Sequence, residues 1–282
     1  DTTPEGRMAI KNILLAVEAG MGDGETAIFP ISIFKVKEGV NYNPSDPNYD
    51  LFKLAIRVSA KRMFPNFSFI DAPFNLQYYK PGHPETEIAY MGCRTRVMAN
   101  VYDPTREITY GRGNLSFTSI NLPRIAYLSS NEEEFMQRLD KLADASKDSL
   151  EIKRKVVEKQ TEDGLYPYCK FYLRDVKNRS GAYWSNHFNT IGIVGMNEAI
   201  MNLFGKDENI TTDLGQEFAK RVMNHLRDKM MQYQEETGHS YNLEATPAEG
   251  TSARLAKIDK KRFPNIITAG KEQVCYTNST QV

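Results

Sequence analysis

The sequence has few cysteines and no excess charge of either sign. Three cysteines lie far apart among 282 residues, with 36 basic and 36 acidic side chains. Three scattered thiols make a disulfide framework or a CxxC metal site implausible, and balanced charge does not indicate a nucleic-acid or membrane-surface protein. The first residues show no signal-peptide pattern, and no apolar run approaches the roughly 20 residues that cross a bilayer. We expect a cytoplasmic protein that binds no metal through these residues and contacts neither nucleic acid nor membrane.

The usual nucleotide-binding glycine loops are also missing. The sequence contains no Walker-type loop, and Gly111-Arg112-Gly113-Asn114 lacks the spacing of a dinucleotide-binding or kinase loop. Its glycines would let a ligand approach the backbone, and Asn114 offers both a donor and an acceptor. A tight turn with an asparagine at its edge is the alternative interpretation.

Strands and helices alternate along the chain. The patterns predict strands over 29–37, 67–70, 114–120, 190–196 and 240–245, and helices over 47–64, 130–159, 197–204, 212–237 and 252–260. Strand 190–196 shows no polar alternation, which is typical of a fully buried strand. The order indicates an α/β fold with a largely parallel sheet or barrel. No linker interrupts the chain, so we expect one compact domain.

Cys93 is predicted to lie on a turning, non-helical segment between strands. Gly92 precedes it and Arg94 and Arg96 follow closely. Neighbouring arginines favour a thiolate, so a reactive thiol is one interpretation and a small buried apolar side chain is the other. No histidine is near in sequence to complete a Cys-His nucleophile. For Cys169, in a strand-like run over 166–173, and for Cys275, we expect burial in the core.

A second candidate site follows the strand over 240–245. A turn at Pro247 leads into a helix whose start contains Gly250, Thr251 and Ser252. Helix N-termini offer backbone N–H groups and a partial positive charge that hold phosphate; an ordinary hydroxyl cap is the alternative. Glu249 would repel an anion but suits proton transfer or binding of a sugar hydroxyl. The segment predicts a site for a phosphorylated small molecule.

In combination, four segments resemble the anaerobic (class III) ribonucleoside-triphosphate reductases. They are residues 91–96, 111–117, 242–252 and 267–273, and the resemblance runs from about Asn12 onward. It implies an α/β barrel of ten strands in two half-barrels, with a finger loop that carries a cysteine at its tip. Residues 1–282 are then expected to form the central portion of this barrel domain.

The resemblance also implies radical chemistry with formate as reductant. A glycyl radical outside this chain would convert Cys93 to a thiyl radical, which removes the ribose 3′-hydrogen. Asn114 and Glu249 match polar positions around the ribose and the reductant, and Gly250, Thr251 and Ser252 match the phosphate site. Arg94 and Arg96 are expected to anchor the loop. The implied partners are ribonucleoside triphosphates, a radical-SAM activating enzyme and a second copy of the chain.

Several parts of the family pattern are missing from these residues. The nucleotide-sensing region, the first barrel strand, the glycyl-radical segment and a zinc site of four cysteines are not found in the sequence. We therefore expect an internal fragment that is inactive alone. Two alternatives stay open, a glycyl-radical lyase or dehydratase on the same barrel and a catalytically inactive nucleotide-binding fragment. The phosphate-binding helix start argues against the lyase.

Overall fold

The computed structural model describes residues 1–27, 30–92, 95–98, 109 and 111–279. The chain divides into two compact units, Asp1–Arg112 and Gly113–Val282. This division differs from the expectation of one compact domain, which rests on the lack of a linker in the sequence. Each unit has its own sheets and its own apolar cluster, so a boundary between units does not require a linker of distinctive composition.

The first unit pairs short strands locally. Strands β1 and β2 are parallel, with Ile33 opposite Asn66, and β3 and β4 are antiparallel. Leu14, Ala55 and Val58 form the buried apolar cluster of this unit. Its elements are α1 (Pro4–Ala19), β1 (Ile33–Val36), α2 (Tyr49–Arg62), β2 (Asn66–Phe69), α3 (Pro73–Leu76), a 3₁₀ turn (Pro84–Thr86), β3 (Ala89–Met91) and β4 (Thr95–Val97).

The second unit contains a parallel sheet in the order β5-β6-β7. This arrangement confirms the predicted parallel α/β pattern for these strands. The elements are β5 (Asn114–Asn121), α4 (Leu122–Tyr127), α5 (Glu132–Glu162), α6 (Pro167–Tyr172), α7 (Arg174–Ser180), β6 (Phe188–Val194), α8 (Met196–Phe204), α9 (Asp213–Thr237), β7 (Tyr241–Ala245) and α10 (Glu249–Arg262). Among the described residues, no helix is long and apolar enough to cross a membrane.

One face of this sheet carries the core. Ile120, Ile191 and Ile193 from the strands pack with apolar side chains of the helices. Phe135 of α5 and Phe218 of α9 meet edge to face, with ring centroids 5.1 Å apart, and both are fully buried. Side chains alternate between the two faces of a strand, so the remaining strand residues point away from this core.

The long helices begin where capping residues satisfy their first N–H groups. Asn131 Oδ1 accepts from Glu134 N at 2.9 Å, and Ser130 N donates to a Glu134 carboxylate oxygen at 2.8 Å. Asn131 is therefore the N-cap residue, and the Glu134 side chain binds the N–H of the residue before it. In α9, Thr212 Oγ1 accepts from Gly215 N at 3.2 Å. The predicted starts of both helices are therefore confirmed to within two residues.

The predicted strand-like run over 166–173 is wrong. Pro167 occupies the first turn of α6, a position that suits proline because its missing N–H is not needed there. Tyr168, Phe171 and Tyr172 are largely exposed, and Cys169 is half-buried rather than part of a sealed core. The aromatic composition resembled a strand, but the helix start decides the local conformation.

Candidate functional site

The sheet face opposite the core is polar. Ser119, Gly192 and Glu244 are cross-strand neighbours, and Thr190 is paired with Asn242 one step earlier. Residues paired across a sheet lie on the same face, so these side chains share one surface, which Thr246 continues beyond β7. A sheet with one apolar face and one polar face can pack on helices while it presents ligand-binding groups on the other side.

Hydrogen bonds within the polar face fix its side chains. Thr190 Oγ1 donates to Asn242 Oδ1 at 2.6 Å. Ser119 Oγ and Thr246 Oγ1 lie 3.1 Å apart, and this pair bridges β6 at Gly192. A Cβ atom at residue 192 would lie only 1.8 Å from Thr246 Oγ1. Glycine in the central strand therefore makes room for the hydroxyl pair.

Glu244 is the acidic residue of this face. Burial raises the pKa of its carboxyl, and a hydrogen bond from the Asn114 side chain offsets part of that shift. The structure thus brings the predicted site residue Asn114 to Glu244, which sequence reasoning did not single out. The alternation of Asn242 and Glu244 in the predicted strand, continued by Thr246 directly after it, is the signal that could have identified it.

The turn after β7 leads directly into the first turn of α10. Glu249, Gly250 and Thr251 are exposed at this start, and the N-cap residue Ala248 provides no side-chain cap. The first N–H groups of a helix have no acceptor within the helix. The exposed backbone of Gly250 and Thr251 in this first turn is therefore a candidate site for an anion.

Ser252 differs from the other predicted phosphate ligands. Its side chain is fully buried, its Oγ donates to Glu249 O at 3.1 Å, and it accepts from Asn278 Nδ2 at 3.1 Å. The backbone N of Ser252 donates to Ala248 O at 2.6 Å. Ser252 therefore stabilises the first turn of α10 from the buried side of the helix.

A cleft of about 690 Å³ opens beside this helix start, within the size range of small-molecule sites. Arg254 and Lys257 follow Gly250 by four and seven residues, which places all three on one side of α10. Burial and the nearby Glu198 carboxylate raise the pKa of the Cys275 thiol. The cleft is lined by Glu249, Gly250, Ala253, Arg254, Lys257, Ile258, Gln273 and Cys275.

Asn114 and Glu249 lie towards opposite ends of the parallel sheet. Asn114 is the first residue of β5, whereas Glu249 follows the carboxyl end of β7. The Asn114 side chain nevertheless reaches Glu244, the fourth of the five residues of β7. The structure therefore groups the predicted residues into two sets, Asn114 with Glu244 on the sheet face and Glu249 with Gly250 and Thr251 at the cleft.

Cys93 and Arg94 lie outside the described residues, but their flanks are described. Met91 of β3 is paired with Thr95 of β4, and Gly92 adopts a left-handed φ of 50°. Arg96 Nη1 donates to Asn75 Oδ1 at 3.0 Å, and its guanidinium lies 5.1 Å from the Phe74 ring centroid. Arg96 therefore ties β4 to α3, in agreement with its predicted anchoring role.

A buried carboxylate supports α10 from behind. Asp259 is fully buried and accepts from Arg124 Nε at 2.6 Å, from Asn121 Nδ2 at 2.7 Å and from the Tyr276 hydroxyl at 2.8 Å. These partners come from α4, the end of β5 and the segment after α10. The network joins elements that are far apart in sequence, so no local pattern could have predicted it.

The segment after α10 also returns to the carboxyl end of the sheet. Thr277 donates to the Glu198 carboxylate through its backbone N at 2.9 Å and through its hydroxyl at 2.6 Å. Gly195 N donates to Thr277 O at 2.8 Å.

In the part of the chain that the structure describes, no group of three or more His, Cys, Asp or Glu side chains is arranged to hold a metal ion.

Comparison with known proteins gives a consistent result. The family model described as anaerobic ribonucleoside-triphosphate reductase matches residues 1–282. The chain is 30% identical over 287 residues to the anaerobic ribonucleoside-triphosphate reductase of Haemophilus influenzae, covering 99% of this chain and 39% of that protein. It is 31% identical over 294 residues to the enzyme of that name from Enterobacteria phage T4, covering 98% and 45%.

Solved structures show the same similarity at the level of the fold. A crystal structure of the anaerobic ribonucleotide reductase from Thermotoga maritima in complex with dATP and CTP matches with a TM-score of 0.60 at 20% identity. The match covers 93% of this chain and 40% of that one. A second structure of that protein, with MES in the active site, matches with a TM-score of 0.59 at 18% identity.

Proposed function

The chain belongs to the anaerobic ribonucleoside-triphosphate reductase family, and we propose that it forms the central portion of a catalytic barrel that reduces ribonucleoside triphosphates to deoxyribonucleoside triphosphates. The observation that carries this proposal is the family match over all 282 residues. The chain spans 39% of the length of the Haemophilus relative. The proposed activity therefore belongs to the complete protein that contains these residues.

We place the substrate triphosphate at the start of α10. The exposed backbone at Gly250 and Thr251 would hold one phosphate, and the cationic side chains of Arg254 and Lys257 line the same cleft. A related structure contains CTP together with dATP, which supports a nucleotide as ligand. A lyase substrate without phosphates would leave this cationic surface unused, so the cleft favours the reductase over the lyase alternative.

We assign the ribose chemistry to Cys93, Asn114 and Glu249. A glycyl radical, on a segment outside these residues, would supply the hydrogen-atom abstraction that generates the Cys93 thiyl radical. Cys93 then takes the 3′-hydrogen and later returns a hydrogen atom. Asn114 is oriented by its hydrogen bond to Glu244 and can bind a ribose hydroxyl. Glu249 can hold or release a proton as the 2′-hydroxyl leaves as water and formate is oxidised to carbon dioxide.

The same proposal names the partners of the complete protein. A radical-SAM activating enzyme would install the radical, and two copies of the protein would form a homodimer in the cytoplasm. The zinc site of the family is assigned to residues outside this chain, because three cysteines cannot supply its four thiolates.

Replacing the proposed radical-carrying thiol tests this function. In the complete, activated protein, we expect Cys93→Ser to abolish formate-dependent reduction, because a hydroxyl group is a far poorer hydrogen-atom donor than a thiol. Binding of CTP should remain within about twofold of the wild-type protein. Reduction is measured as deoxyribonucleotide formed under anaerobic conditions, and binding by calorimetry.

Cys169→Ser is the matched control, because the half-buried Cys169 lies on α6 and lines neither the cleft nor the sheet face. It should retain full activity. Undiminished reduction by the Cys93→Ser protein would contradict the radical role. A wild-type protein that processes small diols or acids but not nucleoside triphosphates would support the lyase instead.

A further inference from the structure

Hydrogen bonds to neighbouring strands, rather than a helix cap, hold the turn between β7 and α10 in place. The N-cap residue Ala248 makes no side-chain cap. Two residues earlier, Thr246 is 8% exposed, and its backbone N donates to Ile193 O on β6 at 3.3 Å. Its hydroxyl lies 3.1 Å from Ser119 Oγ on β5. Thr246 is thus bonded to two different strands, immediately before the chain enters α10.

Gly192 makes the hydroxyl pair possible. A Cβ atom at residue 192 would lie 1.8 Å from Thr246 Oγ1 and 3.4 Å from Ser119 Oγ. Gly192 is not among the glycines with positive φ, so the backbone conformation of β6 does not demand a glycine. Glycine weakens a strand interior and marks places where another group approaches closely. The space at Gly192 is occupied by the Thr246 hydroxyl.

We propose that Thr246 is a positioning residue whose bond to Ser119 across Gly192 fixes the turn from which Glu249 and Gly250 enter the cleft. The inference rests on the proposed function, because the element being positioned is the proposed phosphate-binding start of α10. Ser119 lies on the strand that begins with Asn114. The same bond therefore ties the strand that carries Asn114 to the helix that carries Glu249.

Removing the hydroxyl tests the proposal. In the complete protein, Thr246→Val keeps the side-chain shape, and loss of one hydrogen bond should raise the KM for CTP about fivefold while kcat changes less than twofold. Hydrogen exchange of the backbone amides over 249–252 should be faster by about the same factor. Thr246→Ser should restore both values, because it restores the hydroxyl.

Two further variants make the test specific. Ser119→Ala removes the partner from the other strand and should reproduce both changes, even if the Thr246→Val protein does not fold. Thr237→Val is the control: it also removes a bonded hydroxyl, which donates to Tyr233 O at 2.7 Å and accepts from His239 N at 3.2 Å, but at the C-terminal end of α9. It should leave the KM and the exchange over 249–252 unchanged.

The outcomes separate this inference from the proposed function. A Thr246→Val protein with unchanged KM and unchanged exchange over 249–252, including one whose only change is a lower Tm, overturns the positioning role. A wild-type protein that neither binds nor reduces CTP overturns the proposed function. In that case the exchange measurement still decides whether Thr246 fixes the start of α10.

Discussion

At the scale of single residues, polar groups on the sheet face opposite the core are held in place by their neighbours. Asn114 is bonded to Glu244, Thr190 to Asn242, and Ser119 to Thr246. Each pair leaves fewer orientations open to its side chains, so a ligand that binds there meets groups already ordered. Such preorganisation lowers the entropy cost of binding.

The carboxyl group of Glu244 should make the stability of the folded protein depend on pH. Burial raises its pKa in the folded protein, so it binds its proton more tightly when folded. Its contribution to stability is complete below the pKa of the unfolded chain and is lost as the pH rises through the folded-state pKa. Glu244→Gln keeps an acceptor for Asn114 without the charge. Its Tm relative to wild type should therefore increase between about pH 4 and pH 8.

Glu217→Gln is the control for this experiment. The hydrogen bond from Lys220 and its charge lower the pKa of the exposed Glu217 carboxyl, so its variant should show the opposite trend or none. Thermal unfolding of both variants across the pH range provides the measurement. A Tm difference for Glu244→Gln that is constant or falls with increasing pH would contradict the raised pKa.

At the scale of elements, α10 is fixed at its start by Thr246 and near its end by Asp259. Asp259 is fully buried among Arg124, Asn121 and Tyr276. A buried carboxylate is costly to desolvate, and its partners compensate only while the whole set is complete. The helix that lines the cleft is thus attached to α4, to β5 and to the segment after it.

Breaking this network should destabilise the protein strongly. Asp259→Ala leaves Arg124 without its buried partner, so we expect the free energy of unfolding to fall by about 3–5 kcal/mol. Urea unfolding monitored by circular dichroism measures the change. Asp163→Ala, which removes an exposed partner of Lys159, should cost less than about 1 kcal/mol. A comparably small loss for Asp259→Ala would show that the network contributes little.

The elements that could be predicted from sequence are those specified locally. The unbroken apolar pattern of β6 predicts that strand, and apolar side chains at helical spacing predict α5 and α9. The predicted elements do not include α1, although Thr3 and Pro4 provide helix-start signals and the helix buries Leu14. Helix α6 was misread because an exposed aromatic run resembles a strand by composition.

In the candidate site, too, only the features that are specified locally could be predicted from sequence. The local motif after β7 predicts a helix that begins at residue 252, and the observed α10 begins three residues earlier, beside a cleft. The Asn114–Glu244 and Ser119–Thr246 contacts depend on strand order and register, which no single segment encodes. The Asp259 network likewise joins residues more than 130 positions apart. The roles of Cys93, Asn114 and Glu249 in catalysis stay predictions.

At the scale of the whole molecule, the two units differ in the size of their cores. The second unit, Gly113–Val282, packs one face of its parallel sheet against a large apolar cluster from α4, α5, α8 and α9. Among its described residues, the first unit, Asp1–Arg112, has a small cluster around Leu14, Ala55 and Val58 and two sheets of two strands each. Small cores and isolated strand pairs give marginal stability in water.

This difference predicts unequal folding of the separated units. Residues 113–282 produced alone should unfold cooperatively in urea, because their core and their sheet contacts are complete within the unit. Residues 1–112 alone should show a broad, non-cooperative loss of helical circular dichroism. The edges at β5 and β7 favour association, so the midpoint should be measured at several low concentrations. A non-cooperative transition for residues 113–282 at all of them would show that this core depends on contacts from the rest of the protein.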